Sequence, residues 1–98
     1  MNNVNEKIMM IDKEQIIHLK FPSDEVLKTS EEILNRKSDC EKATLVGNAD
    51  KNKVKIIFED VEGMKMIETT LWGNTDKRII LKGGMVIPLH RIHQIKLF

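Results

Sequence analysis

KVKIIFEDVEGMKMIETTLWG, residues 53–73, is the stretch whose reading decides the fold. Large apolar side chains recur at every second position, at Val54, Ile56 and Phe58 before the central GluGly and at Ile67 and Leu71 after it. A period of two places them on one face of an extended chain. With Glu62 and Gly63 in a two-residue turn, the segment is predicted to be a hairpin in which Phe58 faces Ile67, Ile56 faces Thr69 and Val54 faces Leu71. The same register sets Asp60 opposite Lys65, a favourable cross-strand pair. Trp72 follows a strand whose odd positions point inward, so its expected place is the outer face or the rim.

Toward the C-terminus the alternation continues. GlyAsnThrAsp at 73–76 reads as a turn into a third strand, Lys77 to Lys82. Gly83 and Gly84 accept the positive φ of a tight hairpin and turn the chain into MetValIlePro. Pro88 cannot donate to a ladder, so it ends that strand or lies at an edge. LeuHisArgIle at 89–92 leaves room for one 3₁₀ turn before a last strand in HisGlnIleLysLeuPhe, with Leu89, Ile92 and Ile95 plugging one end of the sheet structure.

Toward the N-terminus the period changes to about 3.6. One helix is expected within residues 23–47, and it has two candidate starts. Ser23, Asp24 and Glu25 after Pro22 offer a cap and two acids for the positive end of the dipole. Thr29 with Glu32 three residues on offers a capping box. Val26, Leu27, Ile33, Leu34, Cys40 and Leu45 fall within an arc of about 140°, wide enough to cover a sheet. Gly47 and Asn48 are expected to end the helix in the left-handed conformation, and Ser38–Asp39 is its weakest point. Residues 8–21, IMMIDKEQIIHLKF, are apolar without a clear period, and either add an edge to the sheet or join a second subunit in a homodimer. Residues 1–7 read as a loose end.

The chain of 98 residues is the size of one domain, divided into an N-terminal segment at 1–22, a helix at 23–47 and a small β-barrel at 53–98. Its core is aliphatic, for it has three phenylalanines, one tryptophan and no tyrosine. A lone cysteine, Cys40, excludes an internal disulfide and suits a reducing compartment, so a cytoplasmic location is expected. The apolar run at 8–11 is too short for a secretory signal or a membrane span. Net charge is +1, yet it is unevenly placed: residues 1–50 hold seven basic and ten acidic side chains, residues 51–98 nine and five. The basic lean of the second half is compatible with phosphate binding.

Four stretches, ValLysIleIlePheGlu at 54–59, GluThrThrLeuTrp at 68–72, IleIleLeuLysGlyGly at 79–84 and IleProLeuHisArgIle at 87–92, together resemble the small SH3-like barrels, including the Sm-like and Rho-inhibitor-type folds. The LeuValGlyAsn at 45–48, the EGxKxxETTxW hairpin and the ILKxGxxIPxxRI finish are similar to a set of short bacterial proteins without assigned function. The resemblance implies an α+β protein in which an N-terminal helix packs on a five-stranded antiparallel SH3-like small barrel. It further implies a binding module whose commonest partners are RNA or protein. The base-stacking aromatic and the Asp/Asn loop pair of Sm-type RNA binders are not found at the expected strand ends.

No serine, cysteine or histidine is spaced as a nucleophile with its base, so the expectation is a non-enzymatic protein without a cofactor. His90 and His93 could share a metal, but zinc wants three or four ligands and no acidic residue follows Asp76, so no metal site is expected. Lys53, Lys55, Arg78, Lys82, Arg91 and Lys96 are candidates for one basic face that, with Trp72 as a stacking platform, would hold single-stranded RNA. Arg91 has an alternative use, pairing with a helix carboxylate such as Glu31, Glu32 or Glu41. Met64, Met66 and Trp72, with the N-terminal apolar segment, are candidates for an interface with another protein or a second copy of the chain.

Overall fold

The computed structural model describes residues 7–97. The loose end expected at residues 1–7 falls almost wholly outside that range, as does Phe98, expected at the end of the last strand. The chain runs through β1 (Met9–Met10), a first 3₁₀ helix (Lys13–His18), α1 (Ser30–Asp50), β2 (Val54–Asp60), β3 (Gly63–Thr69), β4 (Leu71–Asn74), β5 (Arg78–Leu81), β6 (Val86–Pro88), a second 3₁₀ helix (Leu89–Arg91) and β7 (Ile92–Lys96). These strands form two sheets, ordered β1-β3-β2-β7 and β4-β5-β6.

The hairpin of β2 and β3 forms, with a register that differs from the expected one by two residues. Phe58 lies opposite Lys65, Ile56 opposite Ile67 and Val54 opposite Thr69. The cause is Asp60. Its Oδ1 accepts hydrogen bonds from the backbone N–H groups of Glu62 and Gly63, at 3.1 and 3.2 Å, and so draws the turn back to Val61–Glu62. Gly63 becomes the first residue of β3, at φ 141°, a conformation that side-chain-bearing residues avoid. An even shift keeps every side chain on its face, so Val54, Ile56, Phe58 and Ile67 still line the core. Asp60 also keeps its ion pair with Lys65, as a diagonal contact of 2.7 Å between buried groups.

The expectation of five antiparallel strands closing a barrel needs correction. Seven strands are present among the described residues, in two sheets that no continuous ladder joins. At Thr70 the strand expected from 64 to 72 bends: this residue's carbonyl accepts from Lys82 N–H, and the chain passes from one sheet into the other. On the opposite side β6 and β7 are separated by the second 3₁₀ helix, where Pro88 has no N–H to offer. β1 adds a short parallel edge to β3, with Met9 beside Lys65 and Met10 beside Met66, so residues 8–21 supply an edge within the chain itself.

The helix differs too. It begins at the second of its two candidate starts, where Thr29 Oγ1 accepts from Glu32 N–H and the Glu32 carboxylate accepts from Thr29 N–H. It continues through Gly47 and Asn48 to Asp50, and Lys51 takes the left-handed cap at φ 58°. Its buried positions are Arg36, Cys40, Ala43 and Gly47, which fall on one line along the helix and pack against β4 and β7. Leu34 and Leu45, expected in the covering stripe, point away from the sheets and are 66% and 69% exposed. Small side chains let the backbones come close. An added Cβ at Gly47 would stand 2.3 Å from the carbonyl oxygen of Leu71.

That contact yields a prediction whose sign is informative. In an open helix, glycine to alanine stabilises by about 1 kcal/mol. Here Gly47→Ala must displace helix or strand backbone, so denaturant unfolding is expected to show a loss of at least about 1 kcal/mol. A gain would mean that the helix does not sit against Leu71.

Candidate functional site

A groove of about 660 Å³ lies between the first 3₁₀ helix and the β5–β6 hairpin. Asp12 starts that 3₁₀ helix, its N–H donating to Gln15 Oε1 at 3.1 Å and its carbonyl accepting from Gln15 N–H at 3.0 Å. One turn sends two adjacent isoleucines in different directions. Ile16 is buried in the core, whereas Ile17 stays 71% exposed on the groove wall. Phe21 continues this wall and is held from behind by Phe58, the rings 6.0 Å apart and tilted by 50°. Opposite stand Met85, Val86 and Pro88, carried on the hairpin that Gly83 and Gly84 turn at φ 96° and 94°.

The polar part of the groove is cationic. Thr75 Oγ1 accepts hydrogen bonds from the backbone N–H groups of Lys77 and Arg78, both at 3.1 Å, and the Lys77 carbonyl accepts from Leu89 N–H. The backbone that carries these two cations is therefore fixed. Neither side chain has an ion-pair partner among the described residues, and no carboxylate lines the groove. His90 completes the lining, with its Nε2 2.9 Å from the carbonyl oxygen of Pro22.

The residues singled out from sequence are dispersed over the surface. Of the candidate basic and interface side chains named singly, Arg78 alone lines this groove, where it meets Ile16, Ile17 and Phe21 of the N-terminal apolar segment. Lys53 and Lys82 border a second recess, of about 300 Å³, together with Lys13, but Asp12, Glu14 and Glu68 border it too. Lys55 and Lys96 are neighbours across β2 and β7, and Glu68 is the partner of Lys55 on the other side. Trp72 is the extra residue of a β-bulge between Leu71 and Gly73, which turns its ring outward and leaves it 53% exposed, outside the groove. Met64 and Met66 are half-buried on β3, in the other sheet from Trp72.

Arg91 is only 4% exposed. Its Nε donates to the Glu59 carbonyl at 3.0 Å, and its Nη1 donates to the carbonyl and carboxylate of Asp24 at 2.9 and 3.1 Å. The helix acids Glu31, Glu32 and Glu41 take no part. A second buried guanidinium, Arg36, makes two 2.7 Å bonds to the Glu25 carboxylate and one of 3.0 Å to the carbonyl of Ile92. Asp24 and Glu25, adjacent in the segment expected to open the helix, thus each neutralise a buried arginine. His93 meets Glu59 at 2.8 Å, away from the carbonyl that His90 meets. Among the described residues, no three His, Cys, Asp or Glu side chains gather as metal ligands. Burial pushes the Cys40 thiol up to about 12, so it stays protonated and a poor nucleophile.

Sequence reasoning missed Lys77, Met85 and Val86 as groove residues, and reached Ile17 and Phe21 only as members of the N-terminal apolar segment. Lys77 could have been found, since it follows a threonine and an aspartate in a turn. The ambiguous period of residues 8–21 hid which of their isoleucines would face out.

The hydrogen bonds from Arg36 hold the Glu25 carboxyl below its ordinary value of 4.5, against the opposing effect of its partial burial. A carboxylate with a depressed folded-state pKa stabilises fully above its unfolded value, and that contribution is lost as pH falls through the folded value. The stability difference between the parent chain and Glu25→Gln is therefore expected to shrink as pH is lowered from 7 to below about 4. A difference constant over that range would contradict the assignment.

Among the described residues no helix is long and apolar enough to cross a membrane. Comparison with protein-family models, with curated proteins and with solved structures finds no match to this chain.

Proposed function

We propose that this chain is a non-catalytic binding module, and that its partner is a protein segment with apolar side chains and carboxylates. The observation that carries this reading is the groove itself: apolar walls from Ile17, Phe21, Met85, Val86 and Pro88, two unpaired cations, and no acidic side chain in the lining. Apolar walls supply affinity through the area removed from water. The cations Lys77 and Arg78 select for opposite charge and speed encounter. Single-stranded RNA is the competing partner. Lys13, Lys53 and Lys82 around one recess favour it, and the three carboxylates that share the recess weigh against it.

The test uses two blocked synthetic octapeptides, one alternating valine with glutamate and one alternating valine with lysine, alongside polyuridylate. The glutamate peptide is expected to shift the amide resonances of residues 77–87, and the lysine peptide is expected to leave them in place. In the double variant Lys77→Glu/Arg78→Glu, affinity for the glutamate peptide should fall at least about tenfold. Polyuridylate retention that weakens steeply with salt, with neither peptide bound, would overturn the proposal in favour of RNA.

A further inference from the structure

We infer that the partner segment binds as an added β-strand along the free edge of β6. The inference rests on the peptide-binding reading of the groove and specifies its geometry. Among the described residues β6 is the outer strand of its sheet and pairs only with β5, through Arg78–Pro88, Ile79–Ile87 and Ile80–Val86. Leu81 N–H donates to the Met85 carbonyl, which makes Leu81–Met85 a hydrogen-bonded pair. In an antiparallel ladder such pairs alternate with non-bonded ones. Ile79–Ile87 is then the next bonded pair, and the backbone groups of Val86 and Pro88 point the other way.

The free edge accordingly presents Val86 N–H and Val86 C=O, while the Pro88 carbonyl caps the 3₁₀ helix that follows. No hydrogen bond from another described element reaches Val86, which is 41% exposed. Val86 and Pro88 are themselves lining residues, so the edge and the apolar walls belong to one groove. An extended chain laid there makes two bonds with Val86, and sends alternate side chains against Ile17 and Phe21. Arg78, paired with Pro88 across the ladder, is placed to meet a carboxylate of that chain. Such an edge invites indiscriminate pairing unless something blunts it. Pro88 does so here by lacking an N–H, and Lys77 and Arg78 repel a basic segment.

The experiment compares the valine–glutamate octapeptide with two derivatives N-methylated at alternate backbone amides, one on the odd positions and one on the even. Only one edge of an added strand faces β6, so one derivative is expected to bind about tenfold more weakly than the parent peptide and the other to bind like it. On the protein, Val86→Pro removes the one edge N–H and should weaken the unmodified peptide to a similar degree, with an unchanged thermal midpoint as the control for folding. If both methylated peptides bind like the parent, the added strand is overturned while the groove remains a peptide site. If the unmodified peptide itself fails to bind, the groove reading is overturned and the added strand with it.

Discussion

Two guanidinium groups held out of water dictate how the parts of this molecule fit together. Arg36 on the helix and Arg91 between β6 and β7 are each almost fully buried. A buried cation is tolerated only when its donors are bonded and its charge is met. Residues 22–29 supply that requirement through Asp24 and Glu25, and Ile92 and Glu59 supply backbone carbonyls. The segment therefore crosses the open side of the sheets as a strap and does not wind into helix. Once it is laid there, α1 can begin only at Thr29.

The same arrangement explains a helix that carries leucines on its outer face. Its attachment comes from one arginine clamp and from a line of small residues, Cys40, Ala43 and Gly47, that brings it against β4 and β7. Replacing such an ion pair with apolar groups can leave stability unchanged or improve it, whereas removing one partner strands the other. Glu25 is the more exposed member of its pair, with a side chain 30% accessible, so its loss is softened by solvent. Arg36 has no such relief.

Much of the β-structure was legible in the sequence because alternation, the GlyGly hairpin and Pro88 are local signals. The register of the first hairpin was not, since it turns on one Asp60 side chain recruiting two backbone amides, a choice that apolar alternation alone leaves open. The helix end was misread for a related reason. Gly47 looks like a terminator, yet its lack of a Cβ is used for close approach to Leu71, a fact that only tertiary packing reveals. Both buried arginines look like surface cations in a sequence, because their partners lie 11 and 67 residues away. The candidate groove was partly visible through Arg78 and the glycine turn. Its other wall depended on how an aperiodic segment would twist, and no spacing in residues 8–21 specified that.

A double-mutant cycle on Glu25→Gln and Arg36→Met, read by denaturant unfolding at neutral pH, tests the clamp most directly. A coupling energy of at least about 1 kcal/mol between the two changes is what buried, bidentate pairing requires. Additive effects would mean that the strap and the helix are held by something other than this pair.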